Sequence, residues 1–200
     1  GVRAVMEYFD RRIKSDGTVG QLTGWQCADW CPQWKDPNEG NGVPPGTHAG
    51  TRAFVNLMTA TAFDQAAALC EAAGRDPTEL RQRSESLKAA THRIYFDGSR
   101  GLYRDRPADD LASAYTNAWA ILAGMPCDHG ALAERMVTDS TLCQLTMFSN
   151  YFAYRALSKA GRYDLAPRLL EPWKRMLDWG LTTCPEIPDF AMTRSDCHAW

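Results

Sequence analysis

The chain has 200 residues, of which 44% are hydrophobic and 23% charged, and its formal net charge is -2 at pH 7. That length suits one domain with a sizeable core, and the near-neutral balance gives no electrostatic reason to expect nucleic acid or an anionic membrane as a partner. No apolar run approaches the roughly 20 residues that span a bilayer.

Gly1-Val-Arg-Ala-Val-Met-Glu-Tyr-Phe9 opens in mid-helix pattern, without the charged-then-apolar order of a signal peptide. His198-Ala-Trp200 stops without a terminator. Residues 1–200 therefore read as a fragment of one domain, truncated at both ends, whose first partner is the remainder of the same polypeptide.

In chain order, Val5, Phe9 and Ile13, widened by Tyr8, predict a helix over 2–13 that Asp16-Gly17 ends. Residues 18–48 form a long loop rich in Gly, Pro and Trp, including Gly24-Trp25-Gln26-Cys27-Ala28-Asp29-Trp30-Cys31-Pro32-Gln33-Trp34. Loops of this length in compact domains are functional or disordered, and the three tryptophans argue against disorder. A helix over 49–73 is expected to bury Phe54, Leu57, Met58, Ala62, Ala66, Leu69, Cys70 and Ala73, with Gly74 ending it.

Asp76-Pro77-Thr78-Glu79 then supplies a cap, a proline for the first turn and a carboxylate for a helix running to Tyr95. The next helix is expected to start at Asp109 or Asp110, bury Leu111, Tyr115, Ala118 and Leu122, and close at Gly124. A shorter one follows Asp128. Another spans 146–160 with Phe148, Tyr151 and Phe152 inward, and the last spans 164–179 with Leu169, Leu170, Trp173, Met176 and Leu177 on one stripe, kinked by Pro172.

The pattern is all-α, with about seven helices, no convincing strand, and short connections alternating with long ones. Such hairpins build either an α-solenoid or an α/α barrel, and no fixed-period repeat is visible. The seven cysteines, odd in number and without a CxxC pair, read mostly as small buried residues and lean towards a reducing compartment. Cys27 and Cys31 lack a second ligand pair nearby, so no metal site is expected. His48, His92 and His129 read as surface or loop residues, and Trp34 as packing.

After Gly180 comes an irregular polar stretch, Thr182-Thr183-Cys184-Pro185-Glu186 and then Arg194-Ser195-Asp196-Cys197-His198-Ala199-Trp200. Function concentrates in such loops because a rigid scaffold aims them. Trp25 and Trp30 offer flat apolar faces, Asp29 acceptor oxygens, and His198 a hydrogen-bonding imidazole.

Ala153-Tyr-Arg-Ala-Leu-Ser-Lys-Ala-Gly-Arg-Tyr-Asp164, Trp173-Lys-Arg-Met-Leu-Asp-Trp-Gly180, Thr182–Glu186 and Arg194–Trp200, with Gly24-Trp25, Asp29-Trp30 and Gly101-Leu-Tyr-Arg-Asp105 upstream, resemble bacterial α-L-rhamnosidases of glycoside hydrolase family 78. The likeness spans nearly the whole chain in order. It implies part of an (α/α)6 barrel, an inverting hydrolase of terminal α-L-rhamnosides, a carbohydrate substrate and no cofactor.

It places the general base at Glu186 and substrate contacts at Trp25, Asp29, Trp30, His198 and Trp200. Cys184-Pro185 departs from the aromatic pair usual before that glutamate. The family's general acid belongs to a segment upstream of residue 1, and Glu7 and Asp10 read instead as the solvent face of the first helix. Ser195 and Asp196 suit a helix cap. Two other classes stand beside this reading: a degenerate carbohydrate-binding homologue, and a helical-repeat interaction protein. The compartment is left open between cytoplasm and periplasm or secretion.

Overall fold

The structure, a computed structural model, describes residues 1–36, 40–45, 47, 52–108 and 110–185. Seven α-helices are present among them: α1 (Val2–Asp10), α2 (Ala53–Ala72), α3 (Thr78–Tyr95), α4 (Ala114–Ala123), α5 (His129–Thr138), α6 (Met147–Lys159) and α7 (Glu171–Asp178), with a 3-10 helix (Tyr163–Leu170) leading into α7. Where no strand was expected, two antiparallel ladders occur: β1 (Lys35–Asp36) with β2 (Gly40–Asn41), and β3 (Phe96–Asp97) with β4 (Leu102–Tyr103). Each is only two residues a side, too short to leave an alternating pattern in the sequence.

The helices form two layers. α2, α4 and α6 pack on one another in that order, while α3 lies on α2, α5 on α4 and the 3-10 helix on α6. Small side chains let the inner backbones approach: Ala53, Ala60, Ala67, Ala114, Ala118, Ala120, Ala153 and Ala156 are all buried. The outer α3 carries Arg81-Gln-Arg83 and Glu85 to solvent and buries one stripe through Ser84, Leu87, Ala90, Thr91 and Tyr95.

The inner helices run parallel, because their starts are laced together: Ala53 N–H donates to Asp105 O (3.1 Å) and Ala114 N–H to Cys143 O (2.9 Å). At the other end α2, α4 and α6 each stop at a left-handed glycine, Gly74, Gly124 and Gly161, which turns the chain into a short return. This is the all-α, paired-helix architecture of part of an (α/α)6 barrel. Long connections gather at the N-terminal end of the inner helices, and the candidate site lies there.

A repeat invisible as a fixed period appears in the geometry. After outer helices α1, α3 and α5, an aspartate closes an Asx turn: Asp16, Asp97 and Asp139 each accept from the N–H and hydroxyl of the Thr or Ser two residues on. Each following inner helix has a buried asparagine four residues after its cap: Asn56, Asn117 and Asn150. Asn56 accepts from Val19 N–H and donates to Arg52 O (2.8 and 2.7 Å); Asn117 accepts from Tyr103 N–H and donates to Ser113 O (2.9 and 2.8 Å). In these two units an inner helix grips the segment returning from the turn.

Several expected faces differ. α1 ends at Asp10 and buries Met6, not the Val5 stripe, and Val5 is half exposed. On α2, Leu69 and Met58 are exposed while polar Asn56 and Thr59 are buried, because the helix has neighbours on several sides. α4 begins after Ser113, whose hydroxyl caps Thr116 N–H, and not at Asp109 or Asp110; Leu111 and Leu122 are only half-buried. Phe148 and Tyr151 are exposed, since Ser149, Asn150, Ala153, Ala156 and Leu157 occupy the packed face of α6.

Pro172 does not kink a long helix. It stands in the first turn of α7, where its missing N–H costs no bond, and on the expected final stripe only Met176 is fully buried. Of the six described cysteines, Cys31 and Cys143 are buried, Cys27 is exposed and the others are intermediate, so the mostly buried set expected from composition is not found. His92 is not a lone surface residue: Nδ1 lies 2.8 Å from Tyr103 Oη and the ring stacks on Phe96.

Candidate active-site face

The loop between α1 and α2 is anchored by Trp34. Its indole is fully buried, stacked on Phe54 of α2 (ring centroids 6.1 Å, 24°) and edge-on to Tyr115 of α4 (5.8 Å, 85°). Ala28, Cys31 and Cys143 complete this cluster. The packing role expected for Trp34 is thus the one observed. A second anchor is Arg52, whose buried guanidinium donates to Pro44 O, Pro45 O and Thr47 Oγ1. Gly42 holds the loop to itself: its N–H donates to Trp34 O and its carbonyl accepts from Ala28 N–H, both at 2.9 Å.

On this anchored base Trp25 and Trp30 form a tilted pair, with ring centroids 6.3 Å apart at 57°. Trp25 is 63% exposed and Trp30 partly so. Trp25 borders a cleft of about 430 Å³ whose lining also includes Tyr8, Leu22, Phe54, Val55 and Met58. An exposed indole beside an apolar cleft is a surface on which the C–H face of a flat-lying ring stacks.

Asp29 was expected beside the tryptophans as an acceptor for sugar hydroxyls. The structure gives its carboxylate other partners. It is 2% exposed. Oδ2 accepts from Thr146 N–H at 2.7 Å, and Oδ1 accepts from Trp30 N–H at 2.8 Å and from the Thr146 hydroxyl. Burial raises its pKa, against the hydrogen bonds from Thr146 and Trp30 that favour the ion. Thr146 is the cap residue of α6, so the carboxylate sits where the positive end of the helix dipole favours it.

Asp105 does the equivalent for α4, accepting from Ser113 Oγ (2.7 Å) and from the Thr116 hydroxyl. The Gly101-Leu-Tyr-Arg-Asp105 motif gives no hint of this role; the local signal is a Ser-x-x-Thr step at 113–116, overshadowed by the acidic pair Asp109-Asp110. Beside Asp29, Cys31 Sγ donates to Gln144 O at 2.9 Å. Burial pushes the Cys31 thiol far up and Cys143 up to about 11, so both stay protonated at neutral pH.

Gly180, in the left-handed region, stops α7, and Leu181 N–H returns to Met176 O at 3.0 Å. Thr182 and Thr183 are exposed, Cys184 is partly buried and Pro185 buried. Glu186, His198 and Trp200, with Arg194, Ser195, Asp196, Cys197 and His48, lie outside the described residues. Glu7 pairs with Arg3 and Arg11, and Asp10 with Arg83, so both acids of α1 are engaged in ion pairs. No described helix is long and apolar enough to cross a membrane.

The GH78 family rhamnosidase of Bacillus sp. GL1 matches 98% of the chain with a TM-score of 0.80 at 23% identity. The fold is a rhamnosidase fold. A rhamnosidase from Klebsiella oxytoca, solved with rhamnose bound, matches 98% of the chain (TM-score 0.77, 20% identity). The Streptomyces avermitilis α-L-rhamnosidase complexed with L-rhamnose matches 94% (TM-score 0.65, 20% identity). The chain spans 22%, 38% and 17% of these three proteins. No protein-family profile matches it, and no curated protein does.

Proposed function

We propose that this chain is part of the catalytic domain of a glycoside hydrolase that releases terminal α-L-rhamnose with inversion of configuration. The observation that carries the reading is the structural match of nearly the whole chain to rhamnosidases, two of them holding rhamnose. The exposed Trp25–Trp30 pair at the loop end of the inner helices supports it, since a sugar needs such a platform.

In the proposed mechanism Glu186 is the general base, taking a proton from the water that attacks the anomeric carbon. A carboxylic acid about 6.5–9.5 Å away, supplied by the polypeptide outside these 200 residues, protonates the departing oxygen. Trp25, Trp30 and Trp200 stack on the sugar or wall its methyl group, and His198 hydrogen-bonds a hydroxyl. No step requires a cofactor. The helical-repeat alternative calls for an open superhelix, and the fold likeness gives it no support.

The test is hydrolysis of p-nitrophenyl α-L-rhamnoside by the full-length protein and by its Glu186→Gln variant. The expected result is activity in the first and a loss of about 10²-fold or more in the second. Activity that survives the substitution removes Glu186 from the role. A wild type inactive across a panel of aryl glycosides favours the degenerate, sugar-binding reading, to which Cys184-Pro185 in place of an aromatic pair already points.

A further inference from the structure

Asp29 joins two parts of the chain far apart in sequence. Its partner Thr146 lies 117 residues on, at the start of α6, and the same carboxylate accepts from the N–H of Trp30. The segment is held from its other side as well, where Ala28 N–H donates to Gly42 O at 2.9 Å. Cys31, two residues along, reaches Gln144 O. Trp30 is therefore flanked by attachments, and its ring in turn neighbours Trp25. Both oxygens of Asp29 are occupied by protein donors and the side chain is all but inaccessible.

We propose that Asp29 is a positioning residue that touches no substrate and acts by tying the Trp25–Trp30 platform to the N-terminus of α6. This inference rests on the carbohydrate reading above and reassigns one residue within it. The donors require two acceptor oxygens. An amide at this position presents its NH2 to either Thr146 N–H or Trp30 N–H whichever way it is turned, and a donor facing a donor breaks the tie. The chemistry thus selects an aspartate without any contact to a sugar.

The test uses the full-length protein, with p-nitrophenyl α-L-rhamnoside kinetics and the exciton couplet that two neighbouring indoles give in circular dichroism, assigned by its loss in Trp25→Phe. The variants are Asp29→Asn, Thr146→Val and the double substitution. Thr146→Val is the mild one: it removes only the hydroxyl bond to Asp29, because that side chain makes no capping bond of its own.

For Asp29→Asn the expected result is a KM raised about tenfold with kcat within about threefold, the signature of lost binding without lost chemistry. Thr146→Val raises KM less, both variants weaken the couplet, and the double substitution is no worse than Asp29→Asn, since the two residues act as one unit. An unchanged KM in Asp29→Asn overturns the proposal. So do effects of the two substitutions that multiply, or a couplet intact in both variants, either of which makes Asp29 a direct ligand. A wild type with no rhamnosidase activity refutes the carbohydrate reading instead, and the couplet, measured without substrate, still decides whether Asp29 sets the tryptophan geometry.

Discussion

Replacing Trp34 tests how the long loop is held. The indole is wholly buried between Phe54 and Tyr115, so Trp34→Ala removes a large side chain from a site bounded by two helices that cannot easily collapse. Truncations of this kind cost about 3–5 kcal/mol, of which each lost aromatic contact accounts for about 0.5–1.5 kcal/mol. The indole N–H makes no hydrogen bond among the described residues, so Trp34→Phe loses volume and no polar partner, at about 1–2 kcal/mol. The assay is urea unfolding of wild type and both variants, comparing midpoints at constant slope. The order expected is wild type, then Phe, then Ala. A Trp34→Ala cost below about 1 kcal/mol refutes the reasoning, because it would mean that the loop packs against the inner helices without this anchor.

Two further outcomes follow from the same end of the molecule and from its turns. Gly42 has φ +81°, and a Cβ there would stand 2.8 Å from Cys27 Sγ and 3.2 Å from Asp29 O; Gly42→Ala should cost about 2–4 kcal/mol from the left-handed backbone and the clash together, read by the same urea titration, and near-wild-type stability contradicts it. In acid, burial works against ionisation of Asp16 but Lys14 and Thr18 hold its pKa down to about 2, while Thr141 and Arg135 hold Asp139 at about 2. Folded values below the unfolded one contribute stability that is present above pH ~4 and lost as the pH falls towards ~2. Asp29, shifted upward, contributes with the opposite sign and offsets part of the loss. The melting temperature should therefore drop between pH 4 and 2, and more shallowly in an Asp16→Asn, Asp139→Asn variant; equal slopes would remove these turns from the account.

The helices were legible because their apolar spacing is long and regular, and Gly74, Gly124, Gly161 and Gly180 end them where expected. The paired-helix class followed from the alternation of short and long connections. Less was legible where a side chain's partner is remote or its environment shared. Large aromatics were assigned to the core by type, yet the packed face of α6 is Ser149, Asn150 and alanines, with Phe148 and Tyr151 outside. The Asx-turn and asparagine repeat leaves no fixed period in the sequence because the interval from turn to inner helix differs in every unit, longest where the Trp-bearing loop is inserted. The two tryptophan neighbours suggest Asp29 as a ligand, and nothing local points to its bond with Thr146, which only the fold brings to it.

The central claim is the reaction, and proton NMR of the full-length protein acting on an α-L-rhamnoside tests it most directly. Inverting hydrolysis predicts that the first rhamnose to appear is the β-anomer, before mutarotation mixes the two. First-formed α-anomer would contradict the inverting mechanism and the role given to Glu186, and the absence of any released rhamnose would contradict the assignment as a hydrolase.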